Sequence, residues 1–332
     1  MQTSTQVIQS LPFQTRNMGN PVLVDVVNLA AYTPTETTEL VSRTGVQKGN
    51  MRPDKVFISA VSAGCLLSFG CAVSLIALTA PWYQENAPGL IKIIGALVFP
   101  LGLVMVVLTG ADLFTATTMY TLVAVLHRRL PVRKMLLHWF LCFWGNLAGS
   151  LFMVAIIFGY GGIFSASPYR DEVVTLATKK QMDPRIYQIF LRGIGCNWLV
   201  CLACFLSIQA KDLNSKVMGI WWPIFAFVSL GLDHVVANMF IIPLGIWLHT
   251  PGLTIGLYIW KGIIPAGLGN ILGGGLFCGG YYWWMYLLLE PPVKIDGRNY
   301  QGPVVGCGMS FPGLRRKSAA TDEESRIESR QV

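Results

Sequence analysis

Six stretches of this chain are apolar and long enough to cross a bilayer, and nothing constrains its fold more. They run from Val56 to Trp82, Leu90 to Leu126, Met135 to Phe164, Ile186 to Gln209, Val217 to Leu248, and Ile263 to Leu289. A helix needs about 20 apolar residues to cross the hydrocarbon core. The composition agrees: 13% of residues are charged and 53% hydrophobic, with a mean hydropathy of +0.52, whereas soluble domains are about 25% charged. So few charges cannot clothe a globular surface, so lipid covers much of it. The expected fold is all-α and transmembrane, with a membrane domain over residues 52–290 between an N-terminal tail (1–51) and a C-terminal tail (291–332).

The second and fifth stretches exceed one crossing, and each is interrupted near its middle by glycine and aspartate: Gly110-Ala111-Asp112 and Gly231-Leu232-Asp233. A carboxylate at that depth is costly and faces a pathway or a protein interior. Irregular backbone there needs protein or water to satisfy it. Both stretches therefore read as broken helices meeting near the midplane. The Asp112 carboxylate is expected to accept hydrogen bonds from the amides freed by its break.

Basic residues set the orientation. Five precede the first stretch (Arg16, Arg43, Lys48, Arg52, Lys55) and four lie between the second and third (Arg128, Arg129, Arg133, Lys134). Two separate the fourth and fifth (Lys211, Lys216), and seven follow the sixth, making 18 of 25 on one side. Both termini are thus expected in the cytoplasm. The net charge of +8 is a topology signal; it does not imply a nucleic-acid partner.

The halves repeat. Gly145-Asn146-Leu147-Ala148-Gly149 in the third stretch matches Gly269-Asn270-Ile271-Leu272-Gly273 in the sixth. Gly-x-Asp recurs in the second and fifth, and Gly64-Cys65 with Cys71 matches Gly195-Cys196 with Cys201. Three stretches per half is an odd number, so the second half enters from the opposite side. Inverted repeats place a substrate path at their interface, with broken helices offering dipoles to an ion. The glycines let helices approach closely, and Asn146 and Asn270 are expected to hydrogen-bond the broken segments.

Of the four histidines, His127, His138 and His249 read as solvated or interfacial. His234 lies mid-span at a break beside Asp233, a functional position for an ionisable group in a membrane. Thr115, just after Asp112, has a hydroxyl able to bond an imidazole, an anion or its own helix. Asn197 and Asn238 either face a path or staple helices. Cys201-Leu202-Ala203-Cys204 has metal or redox spacing, but it lies inside an apolar run without partner ligands and reads as packing. Seven of the eight cysteines, all but Cys307, lie in apolar runs, so no disulfide framework is expected. No metal and no cofactor is implied. A membrane-embedded enzyme would need nucleophile–base or metal-ligand spacing that His234 lacks, and a purely structural protein would not need paired polar breaks.

These residues resemble the formate/nitrite transporter family. The carrying motifs are Gly110-Ala111-Asp112-Leu113-Phe114-Thr115, Asn197-Trp198-Leu199-Val200-Cys201-Leu202-Ala203, Asp233-His234-Val235-Val236-Ala237-Asn238 through Gly245, and Gly269-Asn270-Ile271-Leu272-Gly273-Gly274. Asp233 stands where many members have glutamate. The long tails and the polar set Asp112, Asn146, Asn197, Asn238 and Asn270 look most like the fungal nitrite branch. The resemblance implies an aquaporin-like six-helix protomer in a homopentamer, in the plasma membrane, carrying nitrite in nitrate assimilation. Formate, lactate or hydrosulfide are the alternative cargoes. It implies His234 as the central histidine with Thr115 as its neighbour, and Phe99, Val200 and Phe227 as an outer constriction. It further implies Leu103, Leu113 and Leu232 as an inner constriction and Lys180, or Lys179, as an entrance lysine.

Overall fold

The computed structural model describes residues 31–302 and 304. Arg16, Cys307 and the basic residues beyond Arg298 lie outside the described residues. The architecture is all-helical, and the only extended pairings among the described residues are two isolated bridges, Ala31 with Ala210 and Ile295 with Arg298.

Helix α1 spans Pro34–Gly49. Thr33 caps it: the Glu36 amide donates to Thr33 Oγ1 at 3.3 Å, and Glu36 Oε2 accepts from the Thr33 amide at 2.9 Å. Proline at its first turn suits a helix start, where no amide partner is needed. α1 is not a solvated tail: its Glu39, Val41 and Ser42 are buried, and it lies along the later helix α6. The folded body thus begins well before residue 52, because α1 has a buried face that only the bundle can cover.

α2 (Pro53–Leu78) crosses in one piece. After the short α3 (Pro81–Asn86), α4 (Pro88–Val98) and α5 (Leu101–Thr109) form one 22-residue span, and α6 (Phe114–Leu126) follows the first break. α7 (Val132–Phe152) continues through a π-helical turn to Tyr160. α8 (Tyr169–Ala177) and the π turn Thr178–Met182 carry the loop between the third and fourth spans. α9 (Ile186–Gln209) is the fourth span, and α10 (Leu213–Leu230) with α11 (Val235–Trp247) make a fifth, bent by 49°. α12 (Ile255–Leu257), α13 (Ile264–Leu272) and α14 (Tyr281–Tyr286), joined by π turns, form the sixth, Ile255–Tyr286.

The packing repeats with the sequence. α2 rests on α7 as α9 rests on α13; α2 meets α5 as α9 meets α10; α1 covers α6 as α8 covers α11. The close approaches depend on glycine: a Cβ on Gly149 would sit 2.1 Å from the Val61 carbonyl oxygen, and one on its counterpart Gly273 would sit 2.2 Å from that of Ile194. Without a hydrophobic drive between helices in lipid, such contacts are what hold them together. Trp144, Trp198, Trp222 and Leu230 remain exposed around the bundle, as side chains facing lipid or another subunit do.

Candidate functional site

Both breaks begin at a glycine in the left-handed region, Gly110 at φ 77° and Gly231 at φ 72°. Each caps the preceding helix, and a side chain there would cost roughly 1–2 kcal/mol. Three extended residues follow before the next helix starts, α6 from Leu113 and α11 from His234, both with φ near −97° (−96° and −97°). The positive N-terminal ends of two half-helices therefore open in the interior, an arrangement that favours an anion.

Asn146 and Asn270 hold the breaks in equivalent ways. Asn146 Oδ1 accepts the Phe114 amide at 2.8 Å, and its Nδ2 donates to the carbonyls of Ala60 and Asp112 at 2.8 and 2.9 Å. Asn270 Oδ1 accepts the Val235 amide at 2.8 Å, and its Nδ2 donates to Gly193 and Asp233 at 2.8 and 3.0 Å. The expectation that these asparagines bind the broken segments holds. The expectation for Asp112 does not. Its own amide donates to Ser59 Oγ at 3.0 Å, while its Oδ1 takes a 2.6 Å hydrogen bond from Lys48 Nζ. The freed amide was already satisfied by Asn146, leaving the carboxylate to pair with a cation. Asp233 repeats this with Lys180 Nζ at 3.3 Å, and Asn238 Nδ2 donates to the same oxygen at 3.3 Å.

His234 caps α11: the Ala237 amide donates to Nδ1 at 3.0 Å. With Nδ1 accepting, the neutral ring carries its proton on Nε2, which lies 2.8 Å from Thr115 Oγ1 and donates to it. A hydrogen-bond chain thus runs from the start of α11 through the imidazole to α6. Phe227 stacks at 6.0 Å from the imidazole and meets Phe99 edge-on at 5.4 Å. His234, Phe99, Phe227, Asn238, Leu232, Lys179 and Lys180 all line one cavity of about 640 Å³, whose wall also holds Lys92, Asp171 and Glu172. Lys180 is the lysine that reaches the break.

Two assignments change, those of Asn197 and His138. Leu232 lines the cavity with Phe99 and Phe227, and Leu103 and Leu113 do not. The reason is the repeat register: Leu232 precedes the break aspartate on the Lys180 side, whereas Leu113 follows Asp112 and matches His234. Asn197 staples helices, since its Nδ2 donates to Thr115 O, Thr118 Oγ1 and Asn270 O at 3.1, 3.0 and 2.6 Å. His138 is 2% exposed and not interfacial; it follows a basic loop by one helical turn, but its helix turns it inward toward Asp112. Val200, Leu103 and Leu113 are buried at 1–2% exposure. Cys201 and Cys204 are buried free thiols among seven free cysteines in the described residues, as packing requires. Among the described residues no group of three or more His, Cys, Asp or Glu side chains converges on a metal position.

Lys48 was missed. No local signal marks it: Lys48 meets Asp112 only when α1 packs on α6.

A bundle of inverted halves, broken at matching points around a buried histidine, defines a membrane channel or transporter. The comparisons agree: the family model described as formate/nitrite transporter matches residues 35–284. The chain is 35% identical over 268 residues to a probable formate transporter of Methanothermobacter thermautotrophicus, covering 76% of this chain and 97% of that protein. It is 34% identical over 270 residues to the formate channel FocA of Haemophilus influenzae, covering 75% and 93%. A pentameric formate channel with formate bound superposes with a TM-score of 0.63 at 30% identity, covering 71% of this chain and 98% of that one. The chain belongs to the formate/nitrite transporter family, whose members are channels and transporters and not enzymes.

Proposed function

We propose that this chain carries small monovalent anions of weak acids across a membrane, with nitrite as its cargo. The observation that carries the reading is His234, hydrogen-bonded to Thr115 at 2.8 Å beneath a cavity lined by Lys180. An anion is drawn to Lys179 and Lys180 by charge. It then meets Phe99 and Phe227, where a bare charge faces a desolvation cost of several kcal/mol. Protonation of the anion removes that cost, so weak acids pass and strong-acid anions do not. At the centre, the Nε2–H of His234 and the Thr115 hydroxyl supply donors for the anion, or pass it a proton, and the start of α11 supports them. Asn238, with an Oδ1 that has no partner among the described residues, belongs to the same path. Val200 completes the outer collar with Phe99, Phe227 and Leu232; Leu103 and Leu113 form the inner one.

Formate is the second reading, favoured by the names of the relatives at 34–35% identity. The matched pentameric channel supports assembly as a homopentamer with one path per protomer. The 18 basic residues on one side support cytoplasmic termini and a multi-pass place in the plasma membrane. Uptake of labelled nitrite and formate into cells lacking their own carriers, at several pH values, tests the reading: uptake of neither rejects it, and formate without nitrite moves the cargo to the second reading.

A further inference from the structure

The Lys48–Asp112 and Lys180–Asp233 pairs are related by the repeat, yet their buried ionisable neighbours differ: His234 and Cys196 lie against the second, and a histidine from the middle of the bundle lies against the first. His138, on α7, places Nε2 3.7 Å from Asp112 Oδ1, too far for a hydrogen bond. Neither of its ring nitrogens nor Asp112 Oδ2 makes a hydrogen bond of normal geometry among the described residues, although the Lys48 backbone also faces the ring. Unpaired polar atoms buried in this way are costly and call for a functional account.

The other half has no equivalent. The register that equates Asn146 with Asn270 equates His138 with Gly262, where a mere Cβ would sit 2.3 Å from Gln181 Oε1. The groups facing His138 are few. The break brings Asp112 and α1 brings Lys48; α7 itself adds the Cys142 thiol, which donates to the Asp112 carbonyl at 3.1 Å. α2 adds the Ser59 hydroxyl, α6 has Tyr120 as its one ionisable residue, and α11 has none. Lys48 is 15% exposed, so its end of the cluster reaches solution, while its counterpart Lys180 lines the outer cavity.

We propose that His138 is a proton-binding group that switches the Lys48–Asp112 pair, making one face of the transporter responsive to pH. A proton from solution on the Lys48 face forms an N–H bond on the imidazole, and no other covalent bond changes. The imidazolium then takes over the Asp112 carboxylate. Lys48, released, turns toward its own mouth and draws anions there as Lys180 does at the other. Loss of the proton returns Lys48 to Asp112. This rests on the transport reading and adds an asymmetry to it.

The test uses right-side-out and inside-out vesicles holding the full chain, with labelled formate as probe. Total formate is adjusted so that undissociated acid stays constant, and pH is varied on one face at a time. Lowering the Lys48-face pH stepwise from about 7.5 to about 4.5, through and below the free-histidine range, should raise wild-type passage from that face roughly threefold. In His138→Gln and His138→Asn that rise should vanish, while the response to pH on the Lys180 face persists. A wild type indifferent to Lys48-face pH overturns the proposal without needing either variant, and so does a variant that keeps the rise. No formate passage through the wild type from either face overturns the transport reading, and this inference with it.

Discussion

At the scale of single residues, the polar groups divide into those that complete the backbone and those left for an ion. Asn146 and Asn270 are of the first kind. Replacing either by alanine strips one amide and two carbonyls of their partners, at about 1–3 kcal/mol for each buried group. Asn146→Ala and Asn270→Ala should therefore lower the thermal midpoint of the detergent-solubilised protein by similar amounts, because the two sites are equivalent. A loss of transport with unaltered stability in either would assign that asparagine to the path instead. Glu172 is of the second kind. It lines the cavity and accepts from Gln84 Nε2 at 2.6 Å. Burial pushes its carboxyl above the usual range, opposed by the Gln84 hydrogen bond and by Lys179. It takes its proton earlier than an ordinary carboxylate as pH falls. Acidifying that face therefore removes a negative charge from the mouth and favours anions. Glu172→Gln should raise anion uptake at neutral pH by about twofold, a partly screened single charge, and flatten the acid side of the pH profile. An unchanged profile would remove Glu172 from the mouth's charge balance.

At the scale of elements, the breaks were legible because glycine and aspartate in the middle of an apolar run have no other good explanation, and because the pattern occurs twice. The asparagine pair was legible for the same reason. Lys48 and His138 were not. Lys48 sits in a polar N-terminal stretch whose burial arises only when α1 lies on α6, a long-range contact that local composition does not carry. His138 follows a basic loop, and the neighbours that make a residue look solvated say nothing of which way a helix turns it. That Leu232 lines the cavity with Phe99 and Phe227 was not legible either, because position in a motif does not give depth. Gly231→Ala probes the break as an element. Its φ of 72° makes alanine costly by roughly 1–2 kcal/mol, and the strain falls two residues from Asp233. Reduced stability together with reduced uptake is expected. Full uptake at normal stability would show that the break tolerates a different geometry.

At the scale of the whole molecule, the repeat gives two breaks built to one plan, each with a lysine held by the break aspartate. The proposed orientation rests on the basic residues and is tested directly: tags at either terminus should resist protease in intact cells, and digestion of a C-terminal tag would reverse it. The central claim is that this symmetric frame converges on one asymmetric group, His234, where the other half has Leu113. The most direct test is uptake of labelled nitrite and formate by the wild type and His234→Asn across a pH series, with surface amounts matched. Asparagine keeps a neutral hydrogen-bonding group, so the variant should reach the membrane and lose most of its uptake. Loss at every pH would mean that His234 stabilises the anion, and loss of the pH dependence alone would mean that it relays the proton. Uptake by His234→Asn at the wild-type rate with the wild-type pH profile would contradict the account.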